Sequence, residues 1–227
     1  MVVDKTSLDD HSRAATYFDR SGQLFDSLYS LEKTSKFMQV VNKMFRRDIY
    51  ERYALTLEHL KRVNAKSILD VGVGGARYAQ GYVDFGLERF VGVDISRTML
   101  DFAKEHVKHL DNHEQIFEFV LSDINVFETH ERFDVVVAMG FFDYISNTQT
   151  ILQKLRALCK HSLIASFPSR SIYRTPIRKL RYRFKKCPVF FFDRDQIMRL
   201  SEQAGFTSCD ITKIRGSGMD YVTVFKR

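Results

Sequence analysis

The 227-residue sequence has few cysteines and no long apolar run. Its three cysteines, Cys159, Cys187 and Cys209, form no C-x-x-C pair and no even framework, which argues against disulfides and against a zinc site. No apolar stretch approaches the roughly 18 residues that a membrane-spanning helix requires. The first ten residues carry three aspartates and no apolar core, unlike a secretion signal, so the expected compartment is the cytoplasm.

Internal repeats and low-complexity segments are also absent, and 44% hydrophobic with 28% charged residues is an ordinary globular composition. The formal net charge of +7 is concentrated in one segment, because eight lysines and arginines and no acidic residue lie between Arg170 and Lys186. Without those eight cations the rest of the chain would carry a net charge of −1. The positive charge is therefore a local feature of the surface.

The segment from Ile68 to Ala76 is an apolar run that breaks into closely spaced glycines. This pattern indicates a buried parallel strand that turns tightly into a helix, where Gly72 and Gly74 let a ligand approach the backbone. A second apolar strand ends at Asp94, whose carboxylate can accept both hydroxyls of a ribose. Together the two segments predict a cofactor that contains adenosine.

The spacing does not fit a dinucleotide fingerprint, which would need a third glycine where this chain has Arg77. Asp70, two positions before the first glycine, would repel a pyrophosphate and suits a ligand with ammonium and sulfonium groups. The pattern Asp-x-Gly-x-Gly-x-Ala that starts at Asp70 resembles the first motif of the class I S-adenosylmethionine-dependent methyltransferases. S-adenosylmethionine is thus the expected cofactor.

Further segments follow in the order that this family shows. The resemblance implies that Asp94 binds the ribose and that Ile95 contacts the adenine. It also implies that Asp123 binds the adenine amino group, that Ile124 packs on the ring, and that Met139 ends a strand beside the cofactor. Ser96 is predicted to cap the helix that follows it.

Strands are predicted near 67–71, 89–94, 115–121, 133–139 and 161–167, with helices near 76–84, 97–110 and 147–159. This alternation predicts an α/β fold with a doubly wound, mostly parallel, seven-stranded sheet. A helix from Asp193, its N-cap, to Ala204 stops at Gly205. The two strands that follow it, near 207–214 and 219–226, are too closely spaced for a crossover and must form an antiparallel C-terminal hairpin. Residues 1–64 are predicted to form an N-terminal helical cap with one long helix from Lys36 to Val63, and residues 65–227 the cofactor-binding domain with an insertion at about 169–190.

The reaction site is expected just after Met139, where Asp143 and Tyr144 are the candidate catalytic groups. Their alternative roles are a helix N-cap and a packing tyrosine. The N/D-P-P-Y motif that serves amine methylation of nucleic-acid bases is absent, which argues against a nucleic-acid amine methylase. Three histidines, His106, His109 and His113, lie along or beyond the end of one outer helix, so no metal site is predicted.

A narrower resemblance concerns the N-terminal region. Tyr17 to Asp19, Phe25 to Tyr29 and Phe45 to Asp48 look like the corresponding region of magnesium-protoporphyrin O-methyltransferases. That resemblance implies a catalytic-pocket role for Tyr29 and binding of the cofactor carboxylate by Arg47. Those enzymes carry a histidine after the fourth strand where this chain has Tyr144, so the expected acceptor is a carboxylate or phenol on a lipophilic body rather than a porphyrin in particular.

A basic amphipathic helix is predicted over residues 175–186, with apolar residues on one face and cations beside it. Four interpretations stay open for this helix: packing on its own domain with a solvated rim, docking on an anionic membrane, binding an anionic substrate, or binding nucleic acid.

The prediction as a whole is a cytoplasmic S-adenosylmethionine-dependent methyltransferase for a small or lipophilic acceptor, either neutral or anionic, with oxygen favoured over nitrogen as the methylated atom. One alternative is an RNA or protein methyltransferase that uses the basic helix for recognition. The other is a non-catalytic module that binds the cofactor.

Overall fold

The computed structural model describes residues 36–169, 189–214 and 220–227, together with Arg13, Thr16 and Asp19. For residues 36–48 it describes the backbone alone. Tyr29 and the predicted basic helix at 175–186 lie outside the described residues. In the described part of the chain, no helix is both long enough and apolar enough to cross a membrane.

The described residues form an alternating series of helices and strands. The helices are α1 (Lys36–Arg62), α2 (Ala79–Val83), α3 (Arg97–Val107), α4 (His113–Ile116), α5 (Thr148–Leu158) and α6 (Arg194–Ala204). The strands are β1 (Ser67–Val71), β2 (Arg89–Asp94), β3 (Phe117–Leu121), β4 (Phe133–Ala138), β5 (Cys159–Phe167), β6 (Ser208–Lys213) and β7 (Tyr221–Lys226).

All seven strands form one sheet in the order β3-β2-β1-β4-β5-β7-β6. Strands β1 to β5 are mutually parallel, whereas β7 pairs antiparallel with both β5 and β6. The predicted fold class and the antiparallel C-terminal hairpin are therefore confirmed. The long helix predicted from Lys36 is also present, ending at Arg62.

Several predicted element boundaries were wrong by a few residues. The helix expected from 76 begins only at Ala79, because Ala76 has a left-handed φ of 51° that no helix accommodates. The helix expected to reach 110 ends at Val107, and the strand expected from 115 begins at Phe117 because α4 occupies the preceding residues. Strand β5 starts at Cys159, which already has extended backbone angles.

The predicted helix caps are confirmed where local chemistry fixes them. The Ser96 hydroxyl accepts a hydrogen bond from the Met99 N–H at the start of α3. Asp193 forms a capping box with Gln196 at the start of α6, and Gly205 ends that helix with a φ of 83°. These caps fix the residues at which α3 begins and at which α6 begins and ends.

The core lies on both faces of the sheet, as the alternation along β1 shows. Leu69 and Val71 belong to one buried cluster and Ile68 to the other. The second half of α1 packs against the face that holds Ile68, where Leu60 is fully buried. A division at residue 64 between a cap and a cofactor domain stays a prediction.

Candidate cofactor and acceptor site

A pocket lies at the carboxyl ends of the parallel strands, where the order of strands reverses between β1 and β4. A doubly wound sheet splays its connections apart at this point and leaves a crevice that ligands occupy. The pocket is lined by Val71, Gly72, Val93, Asp94, Ile95, Ser122, Asp123, Ile124, Gly140, Phe141, Tyr144 and Ile145.

The glycine loop after β1 is held against β2. The N–H groups of Gly72 and Val73 both donate to the Val93 carbonyl, at 2.8 and 3.2 Å. Gly72 and Gly74 have left-handed φ values of 69° and 54°, and a Cβ at Gly72 would lie 3.0 Å from the Phe141 ring. Gly72 is therefore required both by its backbone conformation and by the aromatic ring beside it.

The Asp94 carboxylate joins the glycine loop to the start of α3. Its Oδ2 accepts the Gly74 N–H at 2.8 Å, and its Oδ1 accepts the Ser96 N–H at 2.9 Å. Burial raises the pKa of Asp94, and the hydrogen bonds from Ser96 and Gly74 oppose that rise. Each oxygen still has lone-pair capacity for a ligand hydroxyl, because a carboxylate oxygen accepts about two hydrogen bonds.

A second carboxylate near Asp94 was not assigned any role from the sequence. The Ser96 hydroxyl donates to Asp19 Oδ1 at 2.5 Å, so Asp19 lies at the edge of the Asp94 site. The two residues are 77 positions apart in the chain. A motif search along one local segment could not have connected them.

Asp123, after β3, is held by a hydrogen-bonded turn and by α5. Its Oδ1 accepts the backbone N–H and the side-chain amide of Asn125, at 2.8 and 3.0 Å. Asn125 is in turn bound by the Asn147 amide and by the Lys154 ammonium, both at 2.9 Å. Asn125 thus fixes the orientation of the Asp123 carboxylate, a role that the sequence pattern did not reveal.

Asp70 does not line the pocket. Its side chain is 7% exposed, and burial raises its pKa to about 8, with a further rise from the Asp94 carboxylate and an opposing effect of the Tyr82 hydroxyl. The Asp70 carboxyl is therefore close enough to Asp94 to be coupled to it, although it is not part of the cavity wall.

The end of β4 forms the other wall. The Gly140 N–H donates to the buried Ser166 hydroxyl at 2.7 Å, and Phe141 and Tyr144 line the cavity. Asp143 is buried, does not line the pocket, and accepts the Phe190 N–H on its backbone carbonyl at 2.9 Å. Met139 is partly buried among core residues and is also outside the cavity wall.

An ion pair that was not predicted from the sequence lies near the carboxyl end of β4. Arg52 on α1 is paired with Asp220, which is 2% exposed and directly precedes β7. A Cβ at Gly140 would lie 3.9 Å from Arg52 Nη1, so the guanidinium is close to the turn that follows β4. The pair spans 168 positions, and no local motif marks it.

The pocket thus brings together half of the predicted site residues, namely Gly72, Asp94, Ile95, Asp123, Ile124 and Tyr144. Gly74 joins them through its hydrogen bond to Asp94, whereas Asp70, Met139 and Asp143 lie outside the lining. Arg47 is in α1, but its side chain and Tyr29 are outside the described part of the chain. The described residues contain no group of three or more histidine, cysteine, aspartate or glutamate side chains that could hold a metal.

The chemistry of this pocket fits an adenosine-containing cofactor. Carboxylates at the ends of β2 and β3 can accept hydrogen bonds from ribose hydroxyls and from an adenine amino group. Ile95 and Ile124 provide apolar surface between those carboxylates for the faces of a purine ring. Among the described residues, none that lines the cavity is cationic, whereas a pyrophosphate site would favour cationic side chains.

Comparisons with known proteins find methyltransferases. Residues 68–162 match the family described as Methyltransferase domain. A ubiquinone biosynthesis O-methyltransferase of Coxiella burnetii is 27% identical over 169 residues, which cover 70% of each chain. The (S)-coclaurine N-methyltransferase of Papaver somniferum is 31% identical over 102 residues, covering 44% of this chain and 28% of that enzyme.

The same fold occurs in a solved structure, the magnesium protoporphyrin IX methyltransferase from Synechocystis PCC 6803 with bound S-adenosylhomocysteine. The TM-score is 0.76 at 16% identity, over 96% of this chain and 99% of that one. The sheet order, the pocket and the matches make this chain a methyltransferase enzyme. Within that group it is a class I S-adenosylmethionine-dependent methyltransferase, and S-adenosylmethionine is its cofactor.

Proposed function

We propose that the enzyme methylates an oxygen atom, a hydroxyl, phenol or carboxylate, on a small lipophilic molecule. The observation that supports this most directly is the acceptor side of the pocket, where Phe141, Tyr144 and Ile145 give an aromatic and apolar wall with one phenolic hydroxyl. The curated relative from Coxiella burnetii is named as an O-methyltransferase of ubiquinone biosynthesis, which agrees with an oxygen acceptor.

The residues proposed to hold the cofactor are those of the glycine loop, with Asp94 and Ile95 at the ribose side and Asp123 and Ile124 at the adenine side. Asp70, which lies outside the cavity wall, would favour binding of the cofactor's positive charge. Met139 would support the end of β4 from the core. Arg47 is proposed, from the family resemblance alone, to bind the cofactor carboxylate. When bound, the cofactor supplies a methyl group on a positively charged sulfur. After the transfer, the demethylated cofactor leaves as a neutral thioether.

The chain's own contribution is to position the acceptor and to exclude water. Alignment of two reactants can supply about 7–11 kcal/mol of a barrier, so a close-fitting wall is the main catalytic requirement. A carboxylate acceptor needs no base at neutral pH, whereas a phenol or alcohol must lose its proton. Tyr144 lines the cavity and is the first candidate to bind the acceptor oxygen, with Asp143 beside it in sequence and Tyr29 proposed from the family resemblance.

Arg52 gives a reason to include anionic acceptors. The Arg52 side chain is 17% exposed and its guanidinium stays charged at every physiological pH. The guanidinium lies near Gly140, which follows β4 and lines the pocket. Asp220 already balances part of that charge, so we propose Arg52 as a group that orients an acceptor carboxylate or phenolate at the pocket mouth. A peripheral membrane contact through residues 175–186 would suit a lipophilic acceptor and stays a prediction.

The experiment that tests the proposal is methyl transfer from S-adenosylmethionine with a deuterated methyl group to a panel of lipophilic phenols, alcohols, carboxylic acids and amines. Mass spectrometry identifies the labelled product, and mild base separates a methyl ester, which is cleaved, from an ether or amine. Labelled ether or ester is expected, with a kcat that falls at least tenfold in Tyr144→Phe while S-adenosylhomocysteine binding is retained. Transfer to amines alone would contradict the proposal.

A further inference from the structure

We propose that Phe141 is a specificity-determining residue whose ring makes the pocket prefer the positively charged cofactor over the neutral product that remains after methyl transfer. The inference rests on the assignment of the pocket to S-adenosylmethionine and does not depend on which acceptor is used. It begins from the position of this one ring, which closes the cavity between β1 and β4.

The residues at the two ends of the pocket indicate how the cofactor is oriented in it. Asp94, the proposed ribose ligand, stands at the carboxyl end of β2, in the middle of the lining. On the β3 side the lining consists of Ser122, Asp123 and Ile124, which match an aromatic ring that carries an amino group. On the side of β1 and β4 it includes Gly72, Gly140 and Phe141. Since adenine and sulfur extend from different carbons of the ribose, the sulfur arm is directed toward β1 and β4.

Phe141 is held in place by contacts on two sides. Its Cδ2 is 3.0 Å and its Cβ 3.5 Å from the point where a Gly72 side chain would begin. Its ring also packs on the Phe142 ring at a centroid distance of 5.3 Å and an angle of 79°. Phe142 is itself fully buried and stacks on Phe167 at 4.8 Å. The Phe141 ring is therefore fixed at the cavity wall rather than free to turn away.

An aromatic face attracts a cation because the ring's quadrupole is negative above and below its plane. The attraction is stronger where the cation is desolvated than at an exposed site. It acts on a sulfonium and is lost when the sulfur becomes a neutral thioether. The ring would thus favour binding of the reactant and release of the product.

The test compares three ligands by calorimetry: S-adenosylmethionine, S-adenosylhomocysteine, and an analogue that carries a protonated amine in place of the sulfonium methyl group. In Phe141→Leu, affinity for the two charged ligands should fall about 3- to 30-fold more than affinity for the neutral one. Phe141→Tyr, which keeps the ring, should retain the wild-type ratio, and Phe141→Met provides a second variant without a ring if Phe141→Leu fails to fold.

Phe206→Leu is the matched control, because it removes a buried ring that packs on Phe225 in the core and does not line the cavity. Equal losses for charged and neutral ligands in Phe141→Leu, or the same change of ratio in Phe206→Leu, would overturn the inference and leave Phe141 a packing residue. A wild-type protein that bound none of the three ligands would instead overturn the cofactor-site assignment itself. If the wild-type protein binds the ligands and Phe141→Leu keeps the wild-type ratio of charged-ligand to neutral-ligand affinity, only the proposed role of Phe141 is overturned.

Discussion

His106 on α3 lies 2.6 Å from the Gly75 carbonyl oxygen through its Nδ1, and so connects the outer helix to the glycine loop. Because a carbonyl only accepts hydrogen bonds, Nδ1 must carry the proton. Met99, about two turns before His106 on the same face of α3, also approaches the loop, since its Cε is 3.3 Å from the Cβ position of Gly74. The loop that we assign to the cofactor is thereby supported from outside as well as by β2.

Loss of the His106 contact should weaken cofactor binding. In His106→Ala we expect S-adenosylhomocysteine to bind about 5- to 10-fold more weakly, since a neutral hydrogen bond contributes about 1 kcal/mol. His106→Asn should recover part of that loss because its amide can donate from nearly the same position as Nδ1.

His109→Ala is the control for this measurement, as His109 is an exposed residue two positions after α3. Calorimetric titration of all four proteins checks the prediction. Unchanged affinity in His106→Ala would show that the hydrogen bond does not organise the loop for binding.

Asp70 should make cofactor binding depend on pH. Burial raises its pKa to about 8, so much of the carboxyl is protonated at pH 7 in the free protein. A cationic ligand favours the ionised form, lowers that pKa and releases a proton. Affinity for S-adenosylmethionine should therefore increase as pH rises toward 8, and Asp70→Asn should flatten that dependence.

Proton release can be measured directly by titrating the cofactor in buffers of different ionisation enthalpy. Asp101→Asn, at an exposed position of α3, should behave as the wild type does. Equal proton release from Asp70→Asn and from the wild-type protein would exclude Asp70 as the titrating group.

His59 should make folding stability depend on pH in the acid range. Its Nδ1 accepts from Arg62 at 3.0 Å, so Nε2 carries the proton that is donated to Ser162 Oγ at 2.7 Å. Burial lowers the pKa of His59 to about 4, with further lowering from Arg62 and Lys226 and an opposing effect of Asp210.

In the unfolded chain this imidazole titrates near its ordinary value of about 6.5. The unfolded state therefore binds more protons between pH 6.5 and 4, and stability should fall as pH drops through that window, by up to about 3 kcal/mol. His59→Gln should lose this slope, whereas the exposed His161→Gln should keep it. Urea unfolding at several pH values is the measurement, and identical slopes in the wild type and His59→Gln would contradict the prediction.

The Arg52–Asp220 pair should be important for stability, because Asp220 is almost completely buried. Removing Arg52 alone would leave that carboxylate without its cation and should cost about 3 kcal/mol. The double variant Arg52→Ala with Asp220→Ala should lose less than the sum of the two single losses. Denaturant unfolding of the four proteins gives the coupling energy.

The exposed pair of Lys226 and Asp210, at 2.8 Å, provides the comparison. A double-mutant cycle there should give less than 1 kcal/mol, because both side chains are at least half exposed and water screens them. Coupling energies of equal size at the two pairs would argue against a special role for burial at Asp220.

Local signals in the sequence were sufficient for the strands, the glycine loop and the helix caps. The left-handed glycines, the Ser96 cap and the position of Asp94 at the end of β2 each follow from residues that are neighbours in the chain. The sheet order then follows from the handedness of parallel connections. For this reason Gly72, Asp94, Ile95, Asp123 and Ile124, which line the pocket, could be named from the sequence, and their binding of the cofactor stays a prediction.

The contacts that support the site could not be predicted in this way. His106 and Gly75 are 31 positions apart, and Arg52 and Asp220 are 168 apart. Which face of α3 meets the loop depends on tertiary packing, and no short motif encodes it. Similarly, the alternation along β1 directs the Asp70 side chain away from the cavity, a distinction that the motif alone does not make.

The most direct test is the affinity of Asp94→Ala for S-adenosylhomocysteine, measured by calorimetry beside the wild type and Asp101→Ala. Loss of hydrogen bonds to a charged acceptor, together with release of the Gly74 N–H, should weaken binding about 100-fold or more. Asp101→Ala, an exposed aspartate of the adjoining helix, should bind as the wild type does. An Asp94→Ala protein that folds and binds with unchanged affinity would contradict the account.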